Sequence, residues 1–304
     1  MVIKNLTKLL MIKMTGHCPN VCVFCLNADG EKKKAKLKKS EILKIVKHFM
    51  PKKVELTGGE PLSDMPLLIN TVKNIKKIGV KEIRVNSTLD LKNKNNPLTF
   101  DDIDLIGKLG STEIFICIQT LDEKKYVLLR GNKEASLKRV LENISFLLEN
   151  TNLLFVPSFV PTIKNYLEFP RIYNYVCKLS EKYPGRVLPL EYCKLIIKGR
   201  ASEKIAVSFE KQFAMLRKIK IIHPIESWCF GNNSSKLKKM GINVYSCSFG
   251  KDSFYVDVGG EVYPDNSCGK SMICKDYSKF DLKKYMQSSE AKNFFCSRAY
   301  QPQK

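Results

Sequence analysis

Residues 16–25 read GHCPNVCVFC, which sets Cys18, Cys22 and Cys25 in a C-x3-C-x2-C spacing directly after the apolar run LLMIKM (9–14). Thiolates are soft donors suited to iron and zinc. Three of them on one tight loop can each hold one iron of a [4Fe–4S] cluster and leave the fourth iron open to a substrate, whereas complete cysteine ligation would suit an electron carrier. A structural zinc site wants four donors, and His17 adjoins Cys18 in the chain, which is poor geometry for sharing one ion. Chance clustering of buried cysteines is the remaining alternative.

Further stretches stand at comparable places. TGGEP (57–61) follows the strand candidate KVELT, VNST (85–88) ends EIRVN, and CIQTLDEKKYVLLRG (117–131) ends EIFICIQ. With the cysteine spacing and Phe24 before its last member, these make residues 10–201 resemble the radical S-adenosylmethionine (radical SAM) enzymes. The resemblance implies an open-iron cluster at Cys18, Cys22 and Cys25 that chelates SAM. One electron then releases methionine and a 5′-deoxyadenosyl radical, which abstracts a substrate hydrogen. It implies cofactor contacts from Gly58, Gly59 and Glu60 to the methionine part and from Asn86 and Ser87 to the ribose. Alone, those two polar residues would serve equally as turn caps. Leu121, Asp122, Arg130 and Gly131 match the family's pattern after the fourth strand. Cys117, Ile118 and Gln119 replace its usual Ser-Leu-Asp, so Gln119 and Arg130 are taken as further cofactor contacts. Gly199-Arg200-Ala201 matches a recurrent GRA of the branch with extra C-terminal clusters.

The tail is similar to SPASM and twitch modules. Cys247, Gly260 and Asp265 follow their cysteine–glycine–cysteine hairpin, with Asp265 where the second cysteine is expected, and residues 280–296 resemble the helix before a terminal CxxC. The likeness implies an auxiliary [4Fe–4S] cluster drawn from Cys247, Asp265, Cys268, Cys274 and Cys296. A zinc knuckle stapling a core-poor module is the alternative. Cys117, Cys177 and Cys193 read as core residues. Cys229, in SWCFGN, is a candidate hydrogen donor for an epimerase, or else a loop cysteine.

Positioning these groups falls to alternating elements. Strand candidates at 9–14, 53–57, 82–86, 113–119, 153–160 and 186–192 interleave with helical patterns at 40–50, 65–79, 100–110, 136–150 and 169–183. Such alternation implies parallel strands joined by right-handed crossovers. Periodicity fits an open doubly wound sheet as well as a barrel. The resemblance selects an α/β fold, a partial (β/α)6 barrel over 1–220, with a small α+β module over 221–304. The polar positions then lie at strand C-terminal ends, where such barrels keep their sites. The GG pair between FYVDV and EVY predicts a hairpin turn.

The 304 residues carry eleven cysteines and a formal net charge of +22. No stretch is long and apolar enough for a signal peptide or a membrane span, so a cytoplasmic location with no membrane is expected. In a reducing compartment an odd cysteine count points to metal or redox chemistry. Lysine dominates the positive charge, as in EKKKAKLKK (31–39), which reads as a solvated surface or as steering of an anionic partner. A non-catalytic, metal-stapled nucleic-acid binder would leave GGEP without a role, so nucleic acid is not expected as a partner. The substrate expected is a peptide or peptidyl residue, with a small metabolite or cofactor precursor as the alternative. The cysteine loop begins at residue 18, which leaves no room before it for a leader-binding domain. A separate recognition protein, or a small substrate, would resolve that, and a flavodoxin or ferredoxin would supply the electron.

Overall fold

The computed structural model describes residues 7–28, 35–90, 99–108, 112–228, 230, 233–245, 248–265 and 272–292. Six strands form its centre: β1 (Thr7–Thr15), β2 (Pro51–Gly58), β3 (Glu82–Ser87), β4 (Glu113–Cys117), β5 (Leu154–Phe159) and β6 (Leu190–Cys193). They pair in parallel and in chain order. An order that never reverses has no switch point of the doubly wound kind, and one-handed crossovers then put every helix on the same face. Those helices are α1 (Lys39–Phe49), α2 (Met65–Ile78), α3 (Phe100–Lys108), α4 (Glu123–Arg130), α5 (Leu137–Asn150), α6 (Phe169–Lys182) and α7 (Phe209–Leu216).

The sheet continues past residue 220. β7 (Ile225–Trp228) and β8 (Asn243–Val244) extend it beyond β6. At the other edge β9 (Ser253–Val256) pairs in parallel with β1, and β10 (Val262–Tyr263) returns antiparallel to β9. Only residues 245–252 join β8 to β9. Laid flat, those two strands would stand roughly 38 Å apart. The link reaches about 30 Å at full extension. The sheet is therefore curled, as a partial barrel requires.

All six expected strands and five expected helices are present. Pro189 has no N–H to give a ladder, and β6 starts after it rather than at 186. Helix α4 was not expected, because its apolar positions lack a helical period. Its caps are nevertheless clear: Asp122 accepts a hydrogen bond from Lys125 N, and Gly131 ends the helix at φ 59°. The division at residue 220 is not a break in the sheet. Nor does the described tail lack a core: Phe254 and Phe280 pack on Phe49 of α1 at ring separations of 5.7 and 5.8 Å, and His48 Nε2 lies 2.8 Å from the Phe280 carbonyl oxygen.

Strand alternation gives the sheet two faces. Leu10, Ile12, Val54, Leu56, Ile83, Val85, Ile114 and Phe155 point to the helices and are fully buried. The lumen face carries charge. Arg84 Nε donates to Glu113 at 2.7 Å and Nη1 to Glu191 at 2.9 Å, while Lys53 Nζ lies 2.6 Å from Glu113. Burial pushes the Glu113 carboxyl up, but Arg84 and Lys53 overcome it and hold it below the usual range. A depressed carboxylate contributes stability above its unfolded pKa that is lost as pH falls through the folded one. Arg84→Met should cost about 3–5 kcal/mol, because it strands these buried carboxylates. Urea unfolding at neutral pH measures this, and a loss under about 1 kcal/mol would show that the ring is not structurally coupled.

Candidate metal centre at the strand ends

Residues 16–28 leave the end of β1 without regular structure, so their backbone groups need outside partners. Ala35 O accepts from Gly16 N at 2.8 Å, and three further segments supply others. From the end of β2, Gly59 N donates to Thr15 O at 2.6 Å and Glu60 N to His17 O at 2.7 Å. At the end of α4, Val21 N donates to Arg130 O at 2.8 Å and Val23 N to Leu129 O at 3.1 Å. After β6, Arg200 N donates to Cys25 O at 3.0 Å. Each of these three segments carries a glycine, at or beside the contact, that lets the backbones approach. An added Cβ would lie 1.9 Å from His17 O at Gly59, 2.7 Å from Val21 O at Gly131 and 2.5 Å from Cys25 O at Gly199. At Gly58 it would lie 2.4 Å from Thr15 O. The two glycines of TGGEP thus admit the last residue of β1 and the start of the cysteine loop.

Cys22 is buried, and Cys18 and Cys25 are partly buried. Burial, with the Glu60 charge added, pushes the Cys18 thiol up to about 12. Burial also raises Cys25. A metal binding here must displace protons, which couples binding to pH. Among the described residues no three His, Cys, Asp or Glu side chains converge as around one ion. Thiolates that each serve a different iron of a cluster have no need to converge in that way.

Glu60 is fully buried beside the loop. Its Oε2 accepts from Thr88 N and Thr88 Oγ1, both at 2.8 Å, and Oε1 accepts from Leu62 N at 3.2 Å. Burial raises its pKa against these bonds. Thr88, the last residue of VNST, is thus a site residue that sequence reasoning passed over. Asn86 donates to Glu55 Oε1 at 2.7 Å and leaves its buried Oδ1 without a partner. Ser87 Oγ accepts from Leu89 N at 2.9 Å, which is the turn-capping role open to it. Gln119 is fully buried; with its amide turned to satisfy its neighbours, it donates to Val160 O at 2.8 Å.

Arg130 is 2% exposed. Its Nη1 lies 3.6 Å from Cys22 Sγ, and Nη2 donates to Cys117 O at 2.7 Å. Cys117 and Cys193 alternate onto the lumen face, so only Cys177, buried on α6, is a core cysteine as expected. Asp265 is buried. Cys274 forms an isolated bridge with Val262 of β10. Cys229, Cys247, Cys268 and Cys296 lie outside the described residues.

Residues 12–164 match the Radical SAM superfamily, and the chain belongs to it. Membership implies a [4Fe–4S] cluster and SAM at this site. The residues fit such a group: three soft donors, a backbone cradle closed to any Cβ, and unpartnered buried nitrogens at Asn20 Nδ2 and Arg130 Nε. An uncharacterized protein of Methanocaldococcus jannaschii is 28% identical over 238 residues, 69% of this chain and 54% of that protein. The GTP 3′,8-cyclase of Actinobacillus pleuropneumoniae is 31% identical over 144 residues, 44% of this chain and 39% of the cyclase. The matches thus span about half or less of these curated relatives. Among solved structures, Streptococcus suis SuiB bound to precursor peptide SuiA gives a TM-score of 0.64 at 14% identity, over 96% of this chain and 67% of SuiB. That likeness bears on the fold. Among the described residues no helix is long and apolar enough to cross a membrane.

Gly59→Ala should disrupt the cradle, since its methyl would meet backbone and not a flexible side chain. Iron bound after anaerobic reconstitution should fall by about half if a second cluster is present, with the far-ultraviolet circular dichroism unchanged. Full iron content in this variant would show that the close approach is not needed to hold the metal.

Proposed function

We propose that this protein is a radical SAM enzyme acting on a peptide or peptidyl residue. The observation that carries the chemistry is the cysteine loop clamped at the strand ends beside a dry Glu60. When bound, the cluster and SAM supply a one-electron cleavage that yields a 5′-deoxyadenosyl radical. Cys18, Cys22 and Cys25 hold the cluster. The backbone at Gly58 and Gly59 lines the methionine site, and the Glu60 carboxylate receives the ammonium group. A fully buried carboxylate is costly without a cationic partner, and SAM brings one. Asn86, through its open Oδ1, and Ser87 take the ribose, and Gln119 borders the adenosine side. Residues 1–220 form the barrel and 221–304 the SPASM- or twitch-like part, which completes both sheet edges.

The peptide reading is supported by the SuiB likeness, which runs through the tail and not the barrel alone. A second reading, a nucleotide or other small metabolite, is favoured by the cyclase relatives, whose matches cover less of the chain. A flavodoxin or ferredoxin supplies the electron. In an anaerobic assay with SAM and dithionite, wild-type protein should release 5′-deoxyadenosine, and the variant with Cys18, Cys22 and Cys25 all changed to Ala should release none. Adding perdeuterated cell extract split into peptide and metabolite fractions tests the substrate class. Deuterium in the 5′-deoxyadenosine should appear with the peptide fraction; its appearance only with the metabolites would move the assignment to the second reading.

For the tail, an auxiliary cluster draws on Asp265 and Cys274 together with Cys247, Cys268 and Cys296. Wild type should then bind about eight irons and the triple variant about four. Asp265→Cys should keep the remaining iron with a shifted potential, since thiolate donates more strongly than carboxylate. One zinc and no iron in the triple variant would make the tail a structural knuckle.

A further inference from the structure

The buried guanidinium of Arg130 has unusual company. Its contacts are Cys22 Sγ, Cys117 O, and the rings of Tyr126 and Phe24 at 5.0 and 5.9 Å. No carboxylate stands among them. Its Nε has no acceptor. Two residues on, Asn132 donates to Asn20 Oδ1 at 3.1 Å, which fixes an Asn20 amide that is 2% exposed and whose Nδ2 also lacks an acceptor. The turn that clamps the cysteine loop thus carries a buried cation with an unspent Nε, and it fixes the loop's own Asn20, whose Nδ2 is unspent as well. Native proteins leave few such donors unsatisfied unless something absent accepts from them. An unpaired buried charge is rarer still.

We propose that Arg130, with Asn20, is the built-in counter-charge of the cluster held by Cys18, Cys22 and Cys25, and sets its reduction potential instead of binding SAM. The inference rests on the cluster reading above. A [4Fe–4S] cluster with three thiolates is anionic, and reduction adds one more negative charge. A buried cation and N–H donors at the sulfurs favour the reduced state and raise the potential. Glu60 approaches the loop from β2 and β3, whereas Arg130 approaches from α4 and β4, on the side of Cys22. Arg130 is on this view a positioning residue, acting through the metal and not on the substrate.

The test is a redox titration of anaerobically reconstituted protein without SAM, followed by electron paramagnetic resonance. The signal absent from the triple Cys→Ala variant identifies the cluster. Arg130→Gln at full iron content should shift that midpoint to more negative potential. At a fixed solution potential its ratio of reduced to oxidised cluster should fall at least about tenfold, which is about 59 mV for one electron. Arg130→Lys, which keeps the charge, should recover most of the shift, and SAM affinity for the oxidised protein should stay within about twofold in both. An unchanged midpoint in Arg130→Gln, or a large loss of SAM affinity, overturns the proposal. If Arg130→Gln fails to hold iron, Asn20→Leu decides: a negative shift is expected, and no shift refutes the role. A wild type that forms no cluster on the three cysteines would sink the functional reading itself.

Discussion

The cysteine loop needs fixed thiols, yet it has no helix or strand to fix them. Its backbone is tied instead to the ends of β2 and α4 and to the segment after β6, at N···O distances of 2.6–3.1 Å. Such approaches are open only to glycine on the partner side, which explains Gly59, Gly131 and Gly199 together. They also constrain the sheet. The ends of β1, β2, β4 and β6 must surround one point, and a flat sheet would hold β1 and β6 roughly 24 Å apart. The curl of the barrel and the rigidity of the metal loop are one constraint seen at two scales.

Below that loop the lumen is divided by height along the strands. Near the strand starts, Lys53 and Arg84 pair with Glu55, Glu113 and Glu191 in one buried network. Nearer the C-terminal ends, β4, β5 and β6 present small groups to the lumen, Cys117, Ser158 and Cys193, in strands paired side by side. Ser158 is 1% exposed, and its hydroxyl has no partner. Charged pairs thus fill the lumen near the strand starts, and β4, β5 and β6 turn a weakly polar layer toward the end that carries the cysteine loop.

Much of this was legible in the sequence. Strands of a parallel sheet are apolar on the helix side, and the five helices between them have an amphipathic period, so both stood out. The cysteine spacing and TGGEP marked the site. What stayed hidden depends on contacts far apart in the chain. Thr88 matters because Glu60 folds back to it across 28 positions, and Arg130, named from the sequence, meets Cys22 because α4 lies under the cysteine loop. Cys117 and Cys193 read as core because a lumen position and a core position have the same local period. The tail was read as poor in core because its aromatic partners, Phe49 above all, lie some 200 residues earlier.

The pairing of β9 with β1 adds a functional link to that packing. Ile12 stands opposite Val256, so the next residue on each strand, Lys13 and Asp257, meet on the lumen side with Nζ 3.4 Å from Oδ1. Lys13 is fully buried and three residues before Gly16, where the cysteine loop begins. A buried lysine needs a carboxylate, and here the tail provides one to the strand that carries the metal loop. The same hairpin runs on through β10 to Asp265 and, across the bridge at Val262, to Cys274. Asp265 and Cys274 are therefore joined by two strands and an ion pair to β1, so this part of the tail and the barrel site share one framework through the sheet edge.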